Sequence, residues 1–296
     1  MDISRRDIIK MGLAGFAAVS FAGGLERKVL AAAGAQSAAA VGKGNLAAMV
    51  VTDTSKSPYA KLVSIGVNDF VLDSPFWKSK IDVNHKNSIP HQYKECERTG
   101  RIDNFRYASG MPGYEHKGFI FNDSDVYKWA EAAAYDLSLR PSERTQQHLD
   151  GFISLVASSQ QPDGYLNTAF MGDKAAKRWH NLRDEHELYC GGHMVQAAVA
   201  HYRTTGKTNF LDVANKWADC VYARFGKKGD RGACGHPEVE MALIELYRAT
   251  GDKRRLDQSE LFLERRGRPV SMLMGLPELQ DQAVIRKQTT MTGHAV

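Results

Sequence analysis

The chain has 296 residues, of which 43% are hydrophobic and 25% charged. That composition is ordinarily globular, with enough length for a substantial core, and excludes a disordered chain as the default reading. The formal net charge of +5 is spread along the chain, with basic clusters only in the leader and at residues 253–268, so no nucleic-acid partner is expected. Four cysteines (Cys96, Cys190, Cys220, Cys234) form no CxxC pair, which excludes a disulfide scaffold and leaves free, partly buried thiols.

Residues 1–40 read as a targeting segment. Ser4-Arg5-Arg6-Asp7-Ile8-Ile9-Lys10 has the form of a twin-arginine export signal, and the apolar run from Met11 to Leu25 is too short for a permanent membrane span. Ala-rich stretches at Val29 to Ala33 and Ala38 to Ala40 offer small-residue cleavage sites. A periplasmic or secreted protein with no stable membrane span after signal removal is expected.

Residues 41–75 read as an extended lead-in, rich in Gly, Ser, Thr and Asp, and residues 76–296 as one mostly helical domain. Asp123-Ser124-Asp125 is placed to cap a helix through Val126, Trp129, Ala130, Ala133, Ala134 and Leu137, whose spacing is three and four. Pro141-Ser142-Glu143 opens the next, with Leu149, Phe152, Ile153 and Val156 on one face, and Gln161-Pro162-Asp163-Gly164 turns the chain after it.

An internal repeat follows. Gly192-His193 begins a segment that ends in Tyr202-Arg203-Thr204-Thr205-Gly206; Gly235-His236 begins one that ends in Tyr247-Arg248-Ala249-Thr250-Gly251. Each first helix is apolar nearly all round, as expected of an inner helix packed on every side. The second helices, around Phe210 to Val221 and Lys253 to Arg266, are amphipathic or highly charged and read as outer helices. A period of about 45 residues with this alternation fits a solenoid of helical hairpins or its closed form, the α/α toroid. The long stretches 98–122 and 161–185, rich in Gly, Tyr, Phe, Trp and Asn, read as loops and favour the toroid, with aromatic faces at one rim to stack on sugar rings. A third Gly-His stands at Gly293-His294, close to the last residue, Val296, which suggests part of a longer polypeptide.

The chemistry has several readings at this level. Cys190, His193, Cys234 and His236 could together hold a tetrahedral zinc. Alternatively, His193, His236 and His294 occupy equivalent inner-helix starts and point into the mouth of the toroid to bind sugar hydroxyls. Glycosidases need paired carboxylates; Asp123 with Asp125, and Glu238 with Glu240, lie at helix starts, where acidic residues are more often caps and dipole partners. Asp123 is the carboxylate most worth testing.

Four stretches together resemble glycoside hydrolase family 127, the β-L-arabinofuranosidase-like proteins. They are Phe119 to Ala132, Gln161 to Thr168, His186 to Cys190 with Gly192-His193, and Gly235-His236-Pro237-Glu238. The resemblance runs from about Val67 to Val296 and implies an all-α (α/α)6 barrel, incomplete in this chain, followed in the family by β-sandwich domains. It implies action on terminal L-arabinofuranosides or related plant-type glycans by a retaining mechanism. In that mechanism a zinc-bound cysteine thiolate attacks the anomeric carbon and a glutamate is the acid/base. The family's zinc ligands, nucleophile and acid/base lie C-terminal to its third Gly-His, so the resemblance places no catalytic residue and no zinc ligand in this chain, and implies an inactive fragment. What carries over is the sugar-binding set Gln92, His193, His236 and His294. Cys190 and Cys234 do not match the family's zinc ligands, which decides against the metal reading. Residues 268–287 depart from the family pattern. Two further readings stand beside this one: a metal-independent α/α-barrel glycosidase or lyase using Asp123, and a non-catalytic carbohydrate-binding helical scaffold.

Overall fold

The computed structural model describes residues 50–51, 54, 57–66, 69–266, 287 and 289. Among them there is no strand. The described residues from 50 to 74 carry neither helix nor strand, and helices follow. They are α1 (Pro75–Val83), which passes through a π turn (Asn84–Ser88) into α2 (Ile89–Arg98), then α3 (Arg101–Ala108), α4 (Asp123–Leu139), α5 (Glu143–Ser159), α6 (Glu187–Thr205), α7 (Asn209–Phe225), α8 (Val239–Thr250) and α9 (Lys253–Arg265).

The inner layer is made of α4, α6 and α8, with α6 packed against both of the others, and α5, α7 and α9 back them as hairpin partners. Apolar spacing explains this order. In α4 the buried residues are Val126, Tyr127, Trp129, Ala130, Ala133 and Ala134, and in α5 they include Leu149, Phe152, Ile153 and Val156, each set at helical spacing along one face. In α6 burial extends nearly all round, from Leu188 through Ala200, as a helix enclosed by neighbours requires. At Gly191 the α6 backbone comes so close to α7 that a Cβ there would run into the ring of Trp217, which is fully buried. Burial of a side chain of that size is worth about 3 kcal/mol or more.

Local signals hold at the ends of the elements. Ser142 caps α5 by accepting from Thr145 N–H at 3.3 Å. Gly206 and Gly251 end α6 and α8 with φ of 71° and 76°, their N–H groups donating to Tyr202 O and Tyr247 O. Gly164 closes the turn after α5 with φ 87°, and its N–H donates to Gln161 O at 2.8 Å.

Four expectations need correction. The stretch 98–122 is not wholly loop, because Arg101–Ala108 is helical. Its inward face includes a fully buried asparagine, Asn104, which holds Lys117 from both sides: its Nδ2 donates to Lys117 O at 3.0 Å and its Oδ1 accepts from Lys117 N–H at 2.8 Å. A buried polar residue breaks the apolar pattern that would have announced the helix. Asp123-Ser124-Asp125 does not cap α4: Asn122 stands at the cap position without a side-chain bond to the helix, and Asp123 is turned elsewhere. The inner helix α8 is not packed on every side, since Met241 is exposed and Ile244 half-buried. The two Gly-His pairs are not at equivalent helix starts: α6 begins at Glu187, so His193 lies in its second turn, whereas His236 precedes α8. Helix α9 is an outer helix, as expected, and it buries a polar face. Arg265 donates to Phe225 O at 2.6 Å, Gly226 O at 3.1 Å and Asp230 O at 3.2 Å, adding to the bonds that Gln258 Nε2 and Gly229 N–H make to the first two where α7 ends.

Candidate carbohydrate site

The site is framed by the loop between α5 and α6. Thr168 in that loop donates both its N–H and its hydroxyl to Asp123, at 2.7 and 2.5 Å, which ties the loop to the start of α4. Buried Glu187 accepts from Tyr165 Oη and from Trp179 N–H, the latter at 2.7 Å. The loop's two non-glycine residues of positive φ, Trp179 at 63° and His186 at 58°, lie on either side of this anchor's reach. Such conformations cost about 1–3 kcal/mol and persist where surrounding bonds dictate them. The consequence is placement: His186 leads straight into α6, and its ring comes to 4.1 Å, centroid to centroid, from that of His236.

Around Tyr189, one turn into α6, the side chains converge. His193 stands edge-on to its ring at 4.6 Å and His236 lies at 5.4 Å. Lys128, on the second turn of α4, donates to Tyr189 Oη at 2.7 Å. Glu238 Oε1 lies 3.4 Å from His193 Nδ1 and, though buried, has no hydrogen-bond partner there. All of these positions belong to the N-terminal ends of the three inner helices, so parallel packing of those helices is what brings residues far apart in sequence together.

The electrostatics are those of a largely dry site. Burial, helped by Lys128, holds the His193 imidazolium down to about 3, so the ring is neutral at physiological pH. Burial pushes Glu238 up to about 7, with Glu131 adding to the rise and Lys128 opposing it; burial likewise raises Glu131, against Arg203. The neutral imidazole of His193, the ring of His236, a tyrosine hydroxyl, an ammonium and a carboxyl poised between its two protonation states make a set of donors and acceptors suited to a polyhydroxyl ligand.

Of the residues singled out from sequence, His193 and His236 are brought together. Gln92 stands exposed on α2, a helix packed beside α4. His294 lies outside the described residues. Asp123 is buried with both carboxylate oxygens held by Thr168; burial raises it to about 6 against those two bonds. Glu240 pairs with Arg266 Nη2 at 2.6 Å, a structural tie, but Glu238 makes no cap bond and faces His193 instead. Lys128, Tyr189 and Glu131 were not singled out, because nothing local marks them.

Burial pushes Cys96 and Cys220 up to about 11, Cys234 to about 12 and Cys190 well above its ordinary value. Cys190 donates to Phe121 O at 3.7 Å. Among the described residues no three His, Cys, Asp or Glu side chains gather as a metal site requires, and no helix is long and apolar enough to cross a membrane.

Inner helices walled by an outer layer, with a polar cluster at one end of the wall, place the chain in the class of incomplete α/α toroids. The chain belongs to the family described as β-L-arabinofuranosidase, GH127 catalytic domain, whose pattern matches residues 70–296. It is 37% identical to the non-reducing end β-L-arabinofuranosidase of Bifidobacterium longum subsp. longum, over 66% of this chain and 34% of the relative. A crystal structure of a GH127 β-L-arabinofuranosidase from Geobacillus stearothermophilus T6 is 42% identical, with a TM-score of 0.66 over 68% of this chain and 33% of that one. The structure of another GH127 β-arabinofuranosidase is 41% identical, with a TM-score of 0.64 over 69% and 34%. The chain thus spans about a third of the length of these relatives.

Proposed function

We propose that this chain is the sugar-binding part of a glycoside hydrolase that releases terminal L-arabinofuranose from plant-type glycans. The observation that supports it is the meeting of His193 and His236 on the ring of Tyr189: two imidazoles 43 residues apart in sequence converge among partners fit for hydroxyl groups. The retaining reaction through a zinc-bound cysteine, which the family resemblance implies, draws no residue from the described part of this chain in this reading. We assign the described residues to binding and orienting the sugar, with Lys128, Tyr189 and Glu238 completing the set. Asp123 belongs to the scaffold in this reading, since both its oxygens are engaged by Thr168.

Ligand-detected NMR titration of the full chain with methyl β-L-arabinofuranoside tests this. Weak binding is expected, falling at least about tenfold in both H193A and H236A, as loss of a buried hydrogen-bonding partner requires. Affinity unchanged in both variants refutes the assignment. The readings for the leader, export by the twin-arginine route to the periplasm or beyond, and for the boundaries at residues 40 and 75 rest on the Ser4 to Lys10 motif and on composition. Fractionation of a bacterial host expressing the chain with Arg5 and Arg6 intact or changed to Lys tests the export.

A further inference from the structure

A run of aromatic rings leads from the surface to the proposed sugar site. Phe119 is 65% exposed, and its ring lies parallel to that of Phe121, at 4° with centroids 5.2 Å apart. Phe121 in turn lies 5.2 Å from His186, the ring that packs on His236. The turn that carries the two phenylalanines is built to hold them. Gly118 has φ 83°, and a Cβ there would collide with the side chain of Asn122. Asn122 donates to Lys117 O at 3.3 Å, the carbonyl that fully buried Asn104 also holds. A flat apolar ring is therefore kept at the surface by a turn that Asn122 and Asn104 tie together through Lys117 O, in continuity with the imidazoles. Exposed aromatic faces of this kind match the C–H faces of sugar rings, whose hydroxyls remain in water.

We propose that Phe119 and Phe121 form a second carbohydrate subsite, stacking on the sugar ring joined to the terminal residue held by His193 and His236. This rests on the sugar-binding reading of that site. The rings place the subsite on the solvent side of the imidazoles, where the rest of a glycan would extend. No residue of the subsite takes part in bond making or breaking. Its effect is on which glycan is held and how tightly.

The test compares two ligands on the full chain by the same NMR titration: methyl β-L-arabinofuranoside, and the methyl glycoside of a disaccharide of two arabinofuranose units. The disaccharide is expected to bind about 5- to 10-fold more tightly, the gain of one ring stacked on an aromatic face. F119A abolishes that gain and leaves the monosaccharide affinity unchanged, which also shows that the variant is folded; F119W retains the gain. A disaccharide that binds no better than the monosaccharide, or a preference that survives F119A, overturns the subsite while the imidazole site stands. If neither sugar binds the unaltered chain, the imidazole site and the subsite both fall.

Discussion

Replacing Glu187 by Gln separates the charge of a buried carboxyl from its hydrogen bonds. Glu187 is 1% exposed at the first residue of α6, and it accepts from Tyr165 Oη and Trp179 N–H. Burial raises it from 4.5 to about 7, outweighing those two donors. Between those values the unfolded chain has released the proton that the folded chain keeps, so stability from this group is present below pH 4.5 and is lost as pH rises through 7. The 2.5-unit interval, at 1.36 kcal/mol per unit, amounts to about 3 kcal/mol. Glutamine preserves both contacts, its carbonyl accepting from Trp179 and its amide donating to Tyr165 Oη, but it does not titrate. Asp123 and Glu238, also raised, slope the same way in both proteins and cancel from the comparison. Urea unfolding followed by tryptophan fluorescence at pH 5 and pH 8 is the assay. E187Q should gain about 2–3 kcal/mol relative to the unaltered chain between these two pH values. Parallel curves refute the reasoning, and a gap of opposite sign would mean that the two donors outweigh burial and hold the carboxyl below its ordinary value.

Gly164→Ala is expected to lower stability by about 1–3 kcal/mol, read as a fall in Tm, because φ is 87° and a Cβ would meet Lys216 O on α7. An unchanged Tm would show that the turn after α5 has room to relax. Arg265→Ala should cost about 1–3 kcal/mol by chemical denaturation, since it removes the bonds to the carbonyls of Phe225, Gly226 and Asp230, of which Phe225 O keeps Gln258 Nε2 and Gly226 O keeps Gly229 N–H. Arg265→Lys should recover less than half of that, because one ammonium cannot reproduce the planar fork; full recovery by Lys would reduce the role of Arg265 to charge alone.

The fold was legible where it rests on local rules. Helix ends at Gly206 and Gly251, the Ser142 cap, and the apolar spacing of α4 and α5 all depend on residues within one or two turns of each other, which is the range over which sequence pattern and backbone conformation are directly coupled. The elements that escaped are those whose inward faces are polar. Helix α3 turns Asn104 into the core and α9 turns Arg255, Gln258 and Arg265 inward, and each of these is admitted by a backbone carbonyl supplied from another element. No pattern in the helix itself announces such a carbonyl.

The site divides along the same line. His193 and His236 could be picked out because they recur, yet the repeat misplaced them: one sits inside α6 and the other ahead of α8. What makes them converge is Tyr189, which touches both, and the loop anchor at Glu187, which sets His186 against His236. Lys128 reaches Tyr189 across 61 residues of sequence, and Glu238 takes its character from burial beside His193 rather than from its place before a helix. A carboxylate read from its position alone is a cap. The same carboxylate, buried beside His193, is raised to about 7 by that burial, with the charge of Glu131 adding to the rise, and most of that shift in proton affinity depends on the packing of α4, α6 and α8.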